Sequence, residues 1–292
     1  MNLITARQPL AYDAATLLGD AGFAHCLHAA AGELLATHAR IPREVRYLAD
    51  IKKWTLSQAA ISLHFAHLHD PARPPLSPAV LQDMLRGTQV ASRNTILSFL
   101  QEMRHYGLVA PLPDADRRRR SLRATPQAEA VFAIWFETHL RALDLFDRGN
   151  RAALLNRRPD LLGRAQPLMT ARLLHDPAWT LPPQSVALFT RTASGSNILH
   201  HLASRAAWEM SGPWVTIGAV TAQSIASRYL ISQSHTARLL ARAAESGLLR
   251  WHGTGHSRRC EISHLLVTEY RHWQAVKFAA LSAAFSTVAA GT

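Results

Sequence analysis

Two stretches of this chain repeat one another 140 residues apart, and this duplication limits the fold more than any other feature of the sequence. With Gly107 set against Gly247, over forty residues align without a gap. Val80 meets Val220, Ser92 meets Ser232, Leu100 meets Leu240, and Arg118-Arg119 meets Arg258-Arg259. Identical residues are sparse, but matched positions carry matched structural roles, which is the mark of a duplicated unit.

The first unit opens at Leu76-Ser77-Pro78, where Ser77 can cap a helix start and Pro78 can occupy a first-turn position that needs no N–H. The helix AVLQDMLRGT, a short turn and a second helix, ASRNTILSFLQEMRHYG, follow. The second unit reads WVTIGAVTAQSIASRYL and then ISQSHTARLLARAAESG. In each unit a serine, Ser92 or Ser232, caps the second helix. A glycine, Gly107 or Gly247, closes it in the left-handed conformation. Leu108-Val109-Ala110 and Leu248-Leu249-Arg250 then begin short β-type runs. Polar tips, PLPDADRRRRS and WHGTGHSRRC, lead back through Leu122 and Ile262 into a further helix. The order in both is helix, turn, helix, hairpin, helix.

Both units resemble the DNA-binding winged helix of the MarR (multiple antibiotic resistance regulator) type. The segment EMRHYGLVAPLPDADRRRRSLRATPQAEAVF follows that family's order of recognition helix, "GLV"-type strand, arginine-bearing wing and long terminal helix. The second copy has Ser263-His264-Leu265-Leu266 where the first has Thr125-Pro126. The resemblance implies double-stranded DNA as partner, a recognition helix in the major groove, and a wing over the phosphates. It also implies dimerisation through terminal helices, and it leaves the N-terminal helices and the centre of the chain unexplained.

The rest of the chain reads mostly as helix, with apolar residues three and four apart from Ala14 to Arg40, from about Arg43 to His69, and from Ala128 to about Arg148. A helix is expected from about Val186 to Met210, where Ser211-Gly212-Pro213 breaks it, and a last one from about His264 to Val288. The expected fold class is therefore mainly α with small β-wings: two winged helix-turn-helix units joined and flanked by long helices. Residues 1–70 form N-terminal helices, and 71–148 the first unit with its trailing helix. Residues 149–185, rich in proline and arginine, read as a linker with one or two short helices, and 186–292 as the second unit with its leading and C-terminal helices.

Charge points to the same partner. The 292 residues carry a formal net charge of +12. Residues 71–126 hold nine Arg against four Asp or Glu, and residues 212–263 six Arg against two Glu, so most of the excess sits in the two units. Neutralising phosphates supplies much of the affinity of any DNA-binding protein. Within each second helix an apolar stripe faces inward, Ile96, Phe99, Leu100 and Met103 in one and Leu239, Leu240 and Ala243 in the other. The opposite face offers Ser92, Arg93, Asn94, Thr95 and Ser98, and correspondingly Ser232, Gln233, Ser234, His235 and Arg238. Arginine pairs with guanine, Asn or Gln with adenine, and Ser or Thr with either. Ser92 and Ser232 also have the capping role. The wings add Arg117, Arg118, Arg119, Arg120 and Arg123, then His256, Arg258 and Arg259, placed to reach phosphates or the minor groove.

Other functions find less support. With 48% hydrophobic residues the chain can bury a core, and only Cys26 and Cys260 are present, which excludes a disulfide framework and suits a reducing compartment. No apolar run is long enough for a membrane helix, and a cytoplasmic location is expected. No phosphate-binding glycine loop, HExxH, CxxC or GxSxG occurs, so no catalytic residues, cofactor or metal are assigned. His64 with His67, and His25 with Cys26 and His28, are the nearest approach to a zinc ligand set, although neither gives three ligands on one face. Cys260 beside Arg258 and Arg259 has the surroundings of a redox-responsive thiol. Two further readings stay open: a plasmid replication initiator with tandem winged helices, and a ligand- or metal-responsive regulator whose small-molecule effector sits between the long helices. A homodimer is expected, because Val276, Phe278, Leu281, Phe285 and Val288 lie along one side of the last helix and need a partner surface.

Overall fold

The computed structural model describes residues 10–42, 50–88, 90–113, 121–207, 209 and 211–291. These form fourteen α-helices and two small antiparallel sheets, divided between two compact units. Unit one takes Met1–Cys26, Thr55–Thr180 and Ala275–Thr292; unit two takes Leu27–Trp54 and Leu181–Gln274.

Unit one contains α1 (Ala14–Gly19), the start of α2 (Gly22–Arg40), most of α3 (Ile51–His69), α4 (Pro78–Met84) and α5 (Arg93–His105). Strands β1 (Val109–Pro111) and β2 (Leu122–Ala124) follow, then α6 (Pro126–Asp147), α7 (Arg151–Arg157), α8 (Asp160–Leu174), α9 (Pro177–Thr180) and the end of α14 (His264–Ala290). Unit two contains the remainder of α2 and of α14, with α10 (Gln184–Thr190), α11 (Gly195–Ala203), β3 (Trp214–Gly218), α12 (Ala222–Tyr229), α13 (Gln233–Glu245), β4 (Leu249–His252) and β5 (Arg259–Ser263) between them. Among the described residues no helix is long and apolar enough to cross a membrane.

The core of unit one is aromatic. Phe23 meets Phe278 edge to face at 5.6 Å between ring centroids, and Phe136 meets Phe285 at 6.4 Å. Phe278, Leu281, Phe285 and Val288 are buried and Val276 half-buried, so the stripe that the sequence offers to a second chain is covered by the chain itself. Burying each large side chain contributes about 1.5–3 kcal/mol. Lys277 is buried beside the rings of Trp135 and Phe278, and burial pushes its ammonium down to about 7.

A buried ion pair closes one end of the same unit. Arg151 is fully buried and donates to Asp147 Oδ1 at 2.7 Å, Asp147 Oδ2 at 2.6 Å, Asp144 Oδ1 at 3.2 Å and the Leu10 carbonyl at 3.0 Å. Burial pushes the Asp147 carboxyl up, but the bonds from Arg151 and Tyr12 outweigh it and hold its pKa below the ordinary value. Gly149 makes room for the guanidinium: a Cβ there would meet Arg151 Nη1 at 2.5 Å.

Two stretches differ from the sequence-based expectation. Residues 149–185, expected as a linker with one or two short helices, carry the three helices α7, α8 and α9, the longest being α8, where Leu161, Ala165, Met169 and Leu173 supply a fully buried stripe at helical spacing. The single helix expected from Val186 to Met210 is two, α10 and α11, ending at Ala203. The break lies at Arg191–Ser194, where Ser194 adopts a left-handed conformation with φ of 56°. Gly195 follows so tightly that a Cβ would lie 1.7 Å from the Phe189 carbonyl oxygen, a turn that only glycine fits.

The duplication holds closely at its centre. α5 and α13 begin and end at positions exactly 140 apart. The helices before them do not: Val80 lies within α4, whereas Val220 precedes α12. The alignment thus needs a gap before Ser92. The connection is the eight residues Leu85–Ser92 in one copy and the three residues Leu230–Ser232 in the other. A second gap falls in the hairpin, since Val109 pairs with Ala124 but Leu249 pairs with Ile262. Once that shift is made, Ser263 takes the role of Thr125. Each donates its backbone N–H to the leucine after the helix-closing glycine, at 3.0 Å, and each side chain caps the next long helix.

Candidate nucleic-acid interface

Both second helices are built the same way. Ser92 Oγ accepts from the Thr95 N–H and Ser232 Oγ from the His235 N–H, satisfying a donor the first turn would otherwise leave free. At the other end Gly107 (φ 69°) and Gly247 (φ 67°) turn the chain. The next residue's N–H reaches back 2.8 Å to a carbonyl in each case, Leu108 to Met103 and Leu248 to Ala243. Ile96, Phe99, Leu100 and Met103 are buried in α5; Thr236, Leu239, Leu240 and Ala243 are buried in α13. Thr236 is tolerated inside because its hydroxyl donates to the Ser232 carbonyl at 3.1 Å.

The polar faces turn outward. Ser92, Arg93, Asn94, Thr95 and Ser98 are exposed, as are Ser232, Gln233, Ser234 and Arg238. His235 departs from this pattern. It is half-buried, and its ring Nε2 is buried without a hydrogen-bond partner among the described residues. The outward faces continue beyond the expected residues, to Gln101 and Arg104 on α5 and to Arg242 on α13. Four-residue spacing from Arg238 to Arg242 is the signal that finds the last of these.

A hairpin follows each helix. In unit one β1 pairs with β2 through Val109 with Ala124, Ala110 with Arg123 and Pro111 with Leu122. Leu76 adds a single bridge to Leu122. Pro74, Pro75 and Pro78 around Leu76 have no N–H to donate, so no longer strand forms there. In unit two β3 supplies that strand in full, giving the order β3-β5-β4. Arg123 stands exposed on β2, whereas Arg117, Arg118, Arg119 and Arg120 lie outside the described residues. Arg258 and Arg259 are exposed at the start of β5, with the Arg258 guanidinium 5.5 Å from the Trp251 ring centroid. The His256 side chain lies outside the description. On the outer face of the second sheet Arg250 stacks 4.4 Å over Trp214 and shares Glu261 with His252, and the bond from Arg250 first holds the Glu261 carboxyl below its ordinary pKa.

The candidate metal and thiol residues have other occupations. His64 Nδ1 accepts from the Ala124 N–H at 3.2 Å, which leaves its proton on Nε2, directed to Glu129 at 3.0 Å. His67 Nδ1 lies 2.7 Å from the Arg73 carbonyl, and His28 Nδ1 lies 3.1 Å from the Ser204 carbonyl. Among the described residues no group of three His, Cys, Asp or Glu is placed to hold a metal ion. Cys260 points into the core, away from its arginine neighbours, and burial pushes its thiol up to about 12; Cys26 is likewise buried and raised. Neither has the thiolate character that redox sensing needs.

Two imidazoles, His38 buried and His201 half-buried, are expected instead to make unit two sensitive to acid. His38 and His201 flank the Tyr229 ring at 5.4 and 6.0 Å, under the end of α12. Burial lowers the pKa of His38, and burial followed by the nearby Arg205 and Arg228 lowers that of His201 to about 4. Unfolding returns both to near 6.5. Between about pH 4 and 6.5 the unfolded chain therefore binds more protons, and stability falls as pH drops through that window. A lower urea midpoint at pH 5 than at pH 7 is expected, with the difference reduced in His201→Gln; equal midpoints would contradict the assignment.

No family model, curated protein or solved structure matches the chain.

Proposed function

We propose that this chain is a sequence-specific regulator that binds double-stranded DNA through two winged helix-turn-helix units of MarR-like type. α5 and α13 act as the reading helices, and the β1–β2 and β4–β5 hairpins act as wings. The observation that carries the reading is a coincidence occurring twice. In each copy a serine-capped helix with a buried apolar stripe turns a polar face to solvent, Arg93, Asn94 and Ser98 in one and Gln233, Ser234 and Arg238 in the other, and an arginine-bearing hairpin follows at once. An exposed helix N-terminus of that composition suits base edges, and arginine beside it suits phosphate. The strand order β3-β5-β4, with a helix pair between β3 and β4 in the chain, supports the same reading.

The wings supply the test. Substituting Arg123, or Arg258 with Arg259, by alanine is expected to weaken binding to all duplex sequences alike. Each lost phosphate contact should flatten the dependence of log affinity on log salt by about one unit. Arg118→Ala with Arg119→Ala is expected to act in the same way. Unchanged affinity and slope in all of these variants would overturn the assignment of the wings. Light scattering is expected to return a mass near the chain's own 32.2 kDa, since the apolar stripe of α14 is already buried.

A further inference from the structure

The two reading helices share a frame but not a face. At the common separation of 140 residues the inward positions of α5 and α13 coincide: Ile96 with Thr236, Phe99 with Leu239, Leu100 with Leu240 and Met103 with Ala243, all buried. The outward positions have diverged. Arg93 corresponds to Gln233, Asn94 to Ser234, Ser98 to Arg238 and Gln101 to Ala241, all exposed, and of the outward residues only the capping serine is shared.

We infer that the DNA this chain recognises has two unlike half-sites, neither an inverted nor a direct repeat. The inference rests on the DNA-binding reading above. A protein that reads a symmetric site presents the same side chains twice. Here the first helix puts an arginine and an asparagine at its very start, a guanine reader beside an adenine reader. The second starts with Gln233, an adenine reader, and places its arginine five residues later. At 1.5 Å per residue that is about 7.5 Å along the helix, roughly two base-pair steps. The same groove geometry thus meets a different purine pattern at each unit.

Enrichment of binding sites from randomised duplexes tests this, using the full chain and the triple variant R93Q/N94S/S98R, which gives the first face the second's side chains at three of the four diverged positions. All three positions are exposed, and an unchanged circular dichroism spectrum and melting temperature establish that the variant is folded. The full chain is expected to enrich two blocks that match in neither orientation. The variant is expected to keep the second block and convert the first to its likeness, with at least about tenfold preference for a duplex bearing two like blocks. A palindromic or repeated consensus from the full chain would overturn the inference while leaving the DNA-binding reading intact. Retention of the first block by the folded variant would overturn the role given to α5. Failure of the full chain to bind or enrich any duplex would overturn both readings.

Discussion

Arg151→Ala is expected to destabilise the protein by about 3–5 kcal/mol, the cost of removing one partner from a buried ion pair. The guanidinium is fully buried, and its loss leaves the Asp147 and Asp144 carboxylates without their counter-charge and the Leu10 carbonyl without its donor. Part of the loss should return when Asp147→Asn is added, because the orphaned negative charge is then removed. Chemical denaturation of the two variants at pH 7 measures both effects. A change below about 1 kcal/mol for the single variant would place the pair among exposed bridges that contribute little.

The second large effect concerns base reading. Arg93→Ala and Arg238→Ala are each expected to lose about 1–3 kcal/mol of discrimination at one position of the site, and combining them should add the losses. Competition between a selected duplex and single-base variants measures this position by position. An equal loss on every duplex would show that these arginines hold phosphates instead, and no loss would remove them from the interface.

Much of the framework was legible because it depends on local chemistry. Serine at 92 and 232, glycine at 107 and 247, and apolar residues three and four apart each specify backbone or burial through their own side chains, and the helix ends and buried stripes follow them. Less legible was β3. Trp214-Val215-Thr216-Ile217 is β-branched and aromatic, a strand signal, yet it aligns with Pro74-Pro75-Leu76-Ser77, where the prolines show no strand pattern, and this hides it. The break at Arg191–Ser194 depends on Gly195 approaching the Phe189 carbonyl, a tertiary contact that apolar periodicity does not report. The same holds for Cys260: two arginine neighbours in sequence suggest a reactive thiol, but strand alternation sends the sulfur inward and the guanidinium of Arg259 outward. His235 occupies the place that exposed Thr95 holds in the first copy, so neither the helical spacing nor the alignment marks it as half-buried.

Two basic, polar-faced units of the proposed kind should bind duplex DNA with sequence preference. Titrating the full chain against its enriched duplex, and against an unrelated duplex of equal length, across about 50 to 200 mM salt tests it most directly. Both affinities are expected to fall linearly on logarithmic axes, and the enriched duplex to be preferred by at least about a thousandfold at physiological salt. Absence of binding at the lowest salt, or equal affinity for the two duplexes throughout, would contradict this expectation.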